Sequence, residues 1–167
     1  MKSRDNSTET LDAYRLSGQT VAFLASGRSI RHITLQGGKH KQNCHIERCQ
    51  RPNILDRDHK RSLVEIEIVS SFCGEIAVGC FSHTAKPTFD INTVDRELYD
   101  SARTVTESSD ECDAFLAWLY ERALCVFEKD DIWFTIGTLA NELVKSRTIE
   151  GYRLKILYNQ AMCRQNR

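Results

Sequence analysis

The chain has 167 residues, with 23 Lys and Arg balanced by 23 Asp and Glu. Hydrophobic residues make up 41 % and charged residues 28 %, which excludes a wholly disordered chain, and eight glycines and two prolines exclude a collagen-like one. No apolar run approaches the roughly 20 residues of a membrane span, and the polar start Met1-Lys2-Ser3-Arg4-Asp5 shows no secretory signal. The composition points to a cytoplasmic protein whose seven cysteines, an odd number, stay reduced.

In chain order, residues 1–10 have no apolar periodicity and read as a flexible tail. Leu11 to Leu16 suits a single helical turn. Two β-rich runs follow, residues 20–24 and 30–35, joined by Ser26-Gly27-Arg28 in the manner of a hairpin. Residues 39–61 are polar and basic and read as a long loop. Residues 63–69, Leu-Val-Glu-Ile-Glu-Ile-Val, alternate with period two and predict a half-buried strand, with residues 75–81 returning beside it. A helical turn is expected around Glu97-Leu98-Tyr99.

The period then changes to 3.6. Ser108 and Glu111 stand three apart before an apolar run, as in a capping box. Cys112, Phe115, Leu116, Leu119, Ala123 and Val126 mark one helical face. A second helix is predicted after Thr135 and a third over about 147–162. The expected plan is α+β: a β-rich region at 11–107 made of two hairpins, then a three-helix unit at 108–167.

The zero net charge hides a segregation. Residues 28–61 carry nine basic side chains against three acidic ones, residues 62–135 five against fifteen, and residues 136–167 six against two. This allows the basic ends to meet nucleic acid, or to pair with the acidic middle inside one fold.

Residues 133–143, Trp-Phe-Thr-Ile-Gly-Thr-Leu-Ala-Asn-Glu-Leu, resemble the first helix of a helix-turn-helix unit, and the likeness extends over Ser109 to Met162. That resemblance implies a DNA-binding transcriptional regulator. Lys145, Ser146, Arg147 and Thr148 would form the turn and the start of the recognition helix. Arg147, Thr148, Arg153 and Lys155 would then face double-stranded DNA. Two departures are visible: Val144 holds the turn position that usually carries glycine, and Gly151 falls inside the proposed recognition helix.

In the basic loop, His40, Cys44, Cys49 and His59 offer the nitrogen and sulfur ligands of a zinc site, with Cys44 and Cys49 separated by four residues. A flexible loop with incidental cysteines and histidines is the competing reading. No Gly-x-Ser-x-Gly elbow, phosphate-binding glycine loop or His-Glu-x-x-His helix is present, so no enzyme is expected. The alternative to a DNA-binding regulator is an interaction or inhibitor protein, such as a mobile-element accessory factor. It would bind a partner protein through the acidic surface at 65–131.

Overall fold

The computed structural model describes residues 3–35, 44–48, 57–83, 88–128 and 130–163. Among them are six helices: α1 (Ser3–Ala25), α2 (Arg57–Phe81), α3 (Arg96–Arg103), α4 (Ser109–Phe127), α5 (Asp130–Ser146) and α6 (Gly151–Cys163). Three short strands, β1 (Ile30–Leu35), β2 (Cys44–Arg48) and β3 (Thr148–Glu150), form one antiparallel sheet in the order β2-β1-β3. The protein is mostly helical, which overturns the α+β plan with a β-rich N-terminal half.

The error has a physical cause in α1 and α2, where strands were expected at 20–24, 63–69 and 75–81. Around Leu16 to Phe23, α1 is buried on nearly every side: Leu16, Ser17, Thr20, Val21, Ala22 and Phe23 are all inaccessible or nearly so. In α2, Val64, Ile68, Phe72, Cys73 and Ile76 face one apolar cluster, while Ala77 belongs to another and Ile66 packs against it. A helix with apolar neighbours on two sides loses its single 3.6-residue stripe, and Ile-Glu-Ile then reads as period two. Packing overrides the β propensity of Val, Ile and Thr.

The residues read as a hairpin link instead end α1. Gly27 has φ +73, its N–H donates to the Leu24 carbonyl (3.0 Å) and the Arg28 N–H to the Phe23 carbonyl (3.0 Å). That pair of bonds is a Schellman cap. β1 does lie where the second β-rich run placed it, but its hairpin partner is β2, in a register that sets Leu35 opposite Cys44 and Ile33 opposite Ile46. On its other edge, Ile33 pairs with Ile149 of β3.

At α4 the sequence signal and the structure coincide. The Ser108 side chain accepts from the Glu111 N–H (3.1 Å), while the Glu111 carboxylate accepts from the Glu107 N–H (2.7 Å).

Two apolar clusters form the interior. One gathers α1, the sheet, α5 and α6 around Ile33, Ile136, Leu139, Leu143 and Leu154; the other gathers α2, α3 and α4 around Ile68, Cys73, Leu116 and Leu119. α1 supplies both, with Val21 and Phe23 in the first and Ala22 in the second. It crosses α2 at very short range, because a Cβ added to Gly18 would lie 2.5 Å from the Cys73 carbonyl oxygen and 2.9 Å from the Ala77 Cβ. Ser70 completes the crossing by donating its hydroxyl to the Gln19 carbonyl (3.0 Å).

Candidate binding groove

Beside the second cluster, α2, α3, α4 and residues 88–95 enclose an open groove of about 580 Å³. Its apolar wall is a trio of rings. Phe72 meets Tyr120 edge-on with centroids 5.3 Å apart and Phe89 at 6.2 Å, and Phe89 lies 5.5 Å from Tyr120. Edge and tilted contacts at these distances hold aromatic side chains in fixed orientations. Tyr120 is only 6 % exposed, and its buried hydroxyl has no hydrogen-bond partner among the described residues. Burial pushes its pKa up, and Glu121 and Cys80 push the same way.

The polar wall is acidic: Glu75, Asp90, Asp95 and Glu97 line it, and among the described residues no basic side chain does. Local structure fixes two of these carboxylates. Asp90 Oδ1 accepts from the Asn92 N–H (3.0 Å) at the head of a 3-10 turn over Ile91–Thr93, and Asp95 Oδ1 accepts from the Glu97 N–H (2.8 Å) at the head of α3. Each cap uses one carboxylate oxygen. Glu75 stands apart, because Arg15 of α1 reaches it at 2.8 Å and also holds Asp12 at 2.7 Å. Burial works against the Arg15 charge, yet the two carboxylates outweigh it and raise its pKa.

Between the end of α1, the start of β1 and α6, a smaller depression of about 330 Å³ is lined by Arg28, Ser29, Tyr152, Lys155, Tyr158 and Asn159. Here the residues proposed for DNA contact divide. Lys155 lines the depression. Arg153 pairs with Glu142 at 3.6 Å, and Arg147 pairs with Glu9. The Ser146 hydroxyl donates to the Glu142 carbonyl (2.9 Å), and Thr148 Oγ1 lies 3.3 Å from Thr34 Oγ1 across the sheet. Lys145 is exposed on the last turn of α5.

The link between α5 and α6 is itself different from the expected turn. Arg147 takes the left-handed cap position, φ +65, with its N–H on the Leu143 carbonyl (2.9 Å). Residues 148–150 then run as β3. Gly151 is the first residue of α6, not an interior one, and its missing side chain is required: a Cβ there would lie 1.9 Å from the Ile30 carbonyl oxygen.

Of the zinc ligands expected in the basic loop, His40, Cys49 and the side chain of Cys44 lie outside the described residues, while His59 sits in the first turns of α2. Among the described residues, no three His, Cys, Asp or Glu side chains are grouped to hold a metal. Cys73, Cys80, Cys112, Cys125 and Cys163 are free thiols, and burial pushes Cys73 up to about 12.

No known protein family matches the chain, and no curated protein is significantly similar to it. Its function therefore has to be argued from the groove. Phe72, Phe89 and Tyr120 were not legible as site residues, since nothing in the sequence marks three aromatics 17 to 48 positions apart as neighbours. Asp90 and Asp95 carried a signal: each is an aspartate opening a short helical segment, the position where a carboxylate caps. No helix among the described residues is long and apolar enough to cross a membrane.

Proposed function

We propose that the protein is a non-enzymatic binding module that engages a basic partner protein through its acidic face. The observation that carries this is the groove wall: among the described residues, four carboxylates and no basic side chain stand around three mutually packed aromatic rings. The acid charge continues outward from it. Asp100, Glu107, Asp110, Glu111, Glu121 and Glu128 are all exposed on α3, α4 and their flanks. A surface of this sign offers a partner's cationic cleft the charge that phosphates would supply, and it speeds encounter with that partner. The two buried thiols suit binding better than nucleophilic chemistry. Burial raises the pKa of both Cys73 and Cys112, so neither is a ready thiolate. Free thiols fit a cytoplasmic setting.

DNA binding by α6 and the end of α5 is the second reading, favoured by the exposed Lys145 and by Lys155 beside Arg28. It is weakened by the acidic partners of Arg147 and Arg153. One titration separates the two. Fluorescence anisotropy is followed with an arginine- and lysine-rich peptide and, separately, with random-sequence duplex DNA, each at low and moderate salt. The acidic-face reading expects the peptide to bind, to weaken with salt, and to be lost in a Glu97→Lys, Asp100→Lys variant. Duplex binding with a steep salt dependence, abolished by Arg153→Ala and Lys155→Ala, would replace it with the DNA reading.

A further inference from the structure

The depression between the end of α1, the start of β1 and α6 shares no lining residue with the acidic groove. We propose that it binds a small phosphate monoester carried beside a planar ring, the chemistry of a nucleoside monophosphate. This site stands independently of the acidic-face function. Three features select that chemistry.

The first is charge. Arg28 and Lys155 both line the depression, and among the described residues no acidic side chain does. Lys155 is exposed and Arg28 half-buried, so both cations are within reach of a ligand. A guanidinium fork and an ammonium point charge together suit a phosphate monoester, which carries nearly two negative charges on three terminal oxygens. The neighbouring cations are placed differently. Arg153 is matched by Glu142 at 3.6 Å and Arg147 by Glu9, and the exposed Glu150 precedes α6. Positive charge is thus concentrated at the depression, which fits one phosphate group better than the row of phosphates along a duplex.

The second is the neutral lining. Tyr152, Lys155 and Asn159 stand three and four positions apart on one face of α6, while Leu154, Leu157 and Ala161 are buried on its inner side. Tyr152 is 73 % exposed, and a tyrosine ring at the rim of a cavity offers a planar base a surface to stack on. Burial pushes the Tyr158 pKa up, and Asp131 pushes the same way, so its phenol keeps the proton it would donate. Ser29 and Asn159 add a hydroxyl and an amide.

The third is that the walls are set before a ligand arrives. Gly27 at φ +73 and the Arg28 N–H on the Phe23 carbonyl (3.0 Å) fix the turn that carries Arg28. Across from it, Gly151 approaches so closely that an added Cβ would lie 1.9 Å from the Ile30 carbonyl oxygen, which holds the first turn of α6 against the start of β1. The volume of about 330 Å³ is at the lower end of the range, about 300–1,000 Å³, that holds small organic ligands. A cavity formed in advance loses less to ordering when it is filled.

The test is calorimetric titration of the full chain with the four common nucleoside 5′-monophosphates, their nucleosides, and inorganic phosphate. At least one monophosphate is expected to bind about tenfold or more tightly than both its nucleoside and inorganic phosphate. Lys155→Ala should weaken that monophosphate about tenfold and Tyr152→Ala about fivefold, with melting temperatures unchanged because both side chains are exposed. Lys145→Ala removes another exposed cation, one outside the depression, and should change the affinity by less than about twofold.

Monophosphate binding that survives Lys155→Ala, or that Lys145→Ala weakens equally, would reduce the site to a general attraction for anions and overturn the proposal. Inorganic phosphate binding as tightly as every monophosphate would remove the ring from the ligand and overturn it too, as would the absence of binding at millimolar ligand. Displacement of the monophosphate by random-sequence duplex DNA at a lower phosphate concentration would assign the surface to DNA instead.

Discussion

Two glycines lie in helix interiors with opposite surroundings, and they test the packing argument as a pair. Gly18 sits at the α1–α2 crossing, where an added Cβ would be 2.5 Å from the Cys73 carbonyl oxygen and 2.9 Å from the Ala77 Cβ. Both obstacles are backbone or a Cβ, so neither can swing aside, and the helices must separate. Overpacking of this kind costs about 1–3 kcal/mol, against which the better helix propensity of alanine returns about 1 kcal/mol. The top of that range applies because the contact is with backbone. Gly18→Ala should therefore destabilise by about 2 kcal/mol, lowering the melting temperature by roughly 4–8 °C at about 2–4 °C per kcal/mol for a domain of this size. Gly137 in α5 is the control, since its added Cβ would meet only the Tyr14 hydroxyl at 3.8 Å, an ordinary contact. Gly137→Ala keeps the propensity gain with no clash and should raise the melting temperature by about 2–4 °C. Thermal melts followed by circular dichroism decide it. A Gly18→Ala protein as stable as the parent, or a Gly137→Ala protein less stable than Gly18→Ala, would refute the close-crossing account.

Three further outcomes follow from named groups. Cys73 is inaccessible and its thiol is pushed up to about 12, so the native state keeps a proton that the unfolded chain loses nearer 9. Its contribution to stability is complete below pH 9 and declines toward pH 12 with a slope nearing about 1.4 kcal/mol per pH unit. Urea titrations from pH 8 to 10.5 should show that decline, shallower in Cys73→Ala. Ser108→Ala removes the oxygen that accepts the Glu111 N–H and should cost about 1 kcal/mol, visible as a lower urea midpoint with unchanged slope. Arg147 holds a left-handed conformation and an exposed pairing with Glu9. Relief of the strain, about 1 kcal/mol, outweighs the loss of an exposed pair, so Arg147→Gly should leave stability level or raised by up to about 1 kcal/mol in the same titration.

The features legible in the sequence share one property, which is that their cause is local. The capping pair at Ser108 and Glu111 and the one-sided stripe of α4 each announce themselves within a few residues, and so does the β-rich composition of β1. Features set by distant neighbours were not legible. α2 reads as strand because Ile66 and Ile68 serve different clusters, a fact determined by α1 on one side and α4 on the other. Gly151 reads as a flaw in a helix because its reason is the carbonyl of Ile30, 121 positions earlier. The groove suffers in the same way. Its acids could be counted from the sequence and two of them even carry a cap signature, but the ring wall exists only once α2 and α4 have packed.

The sheet ties distant parts of the chain together, since Thr34 of β1 faces Thr148 of β3 across 114 positions. This has a consequence for how the protein comes into being. A nascent chain can form α1 and pack α2 against it as soon as both have left the ribosome, but β1 waits for its second neighbour until residues 148–150 have been made. Contacts of such sequence separation are slow to close. Throughout synthesis one edge of β1 stays open, with Ile33 beside it, and only the last helix and its leading strand cover that edge. β3 and α6 thus act as a closing clasp, and a chain truncated before Thr148 should carry an unpaired strand edge prone to pairing with another chain.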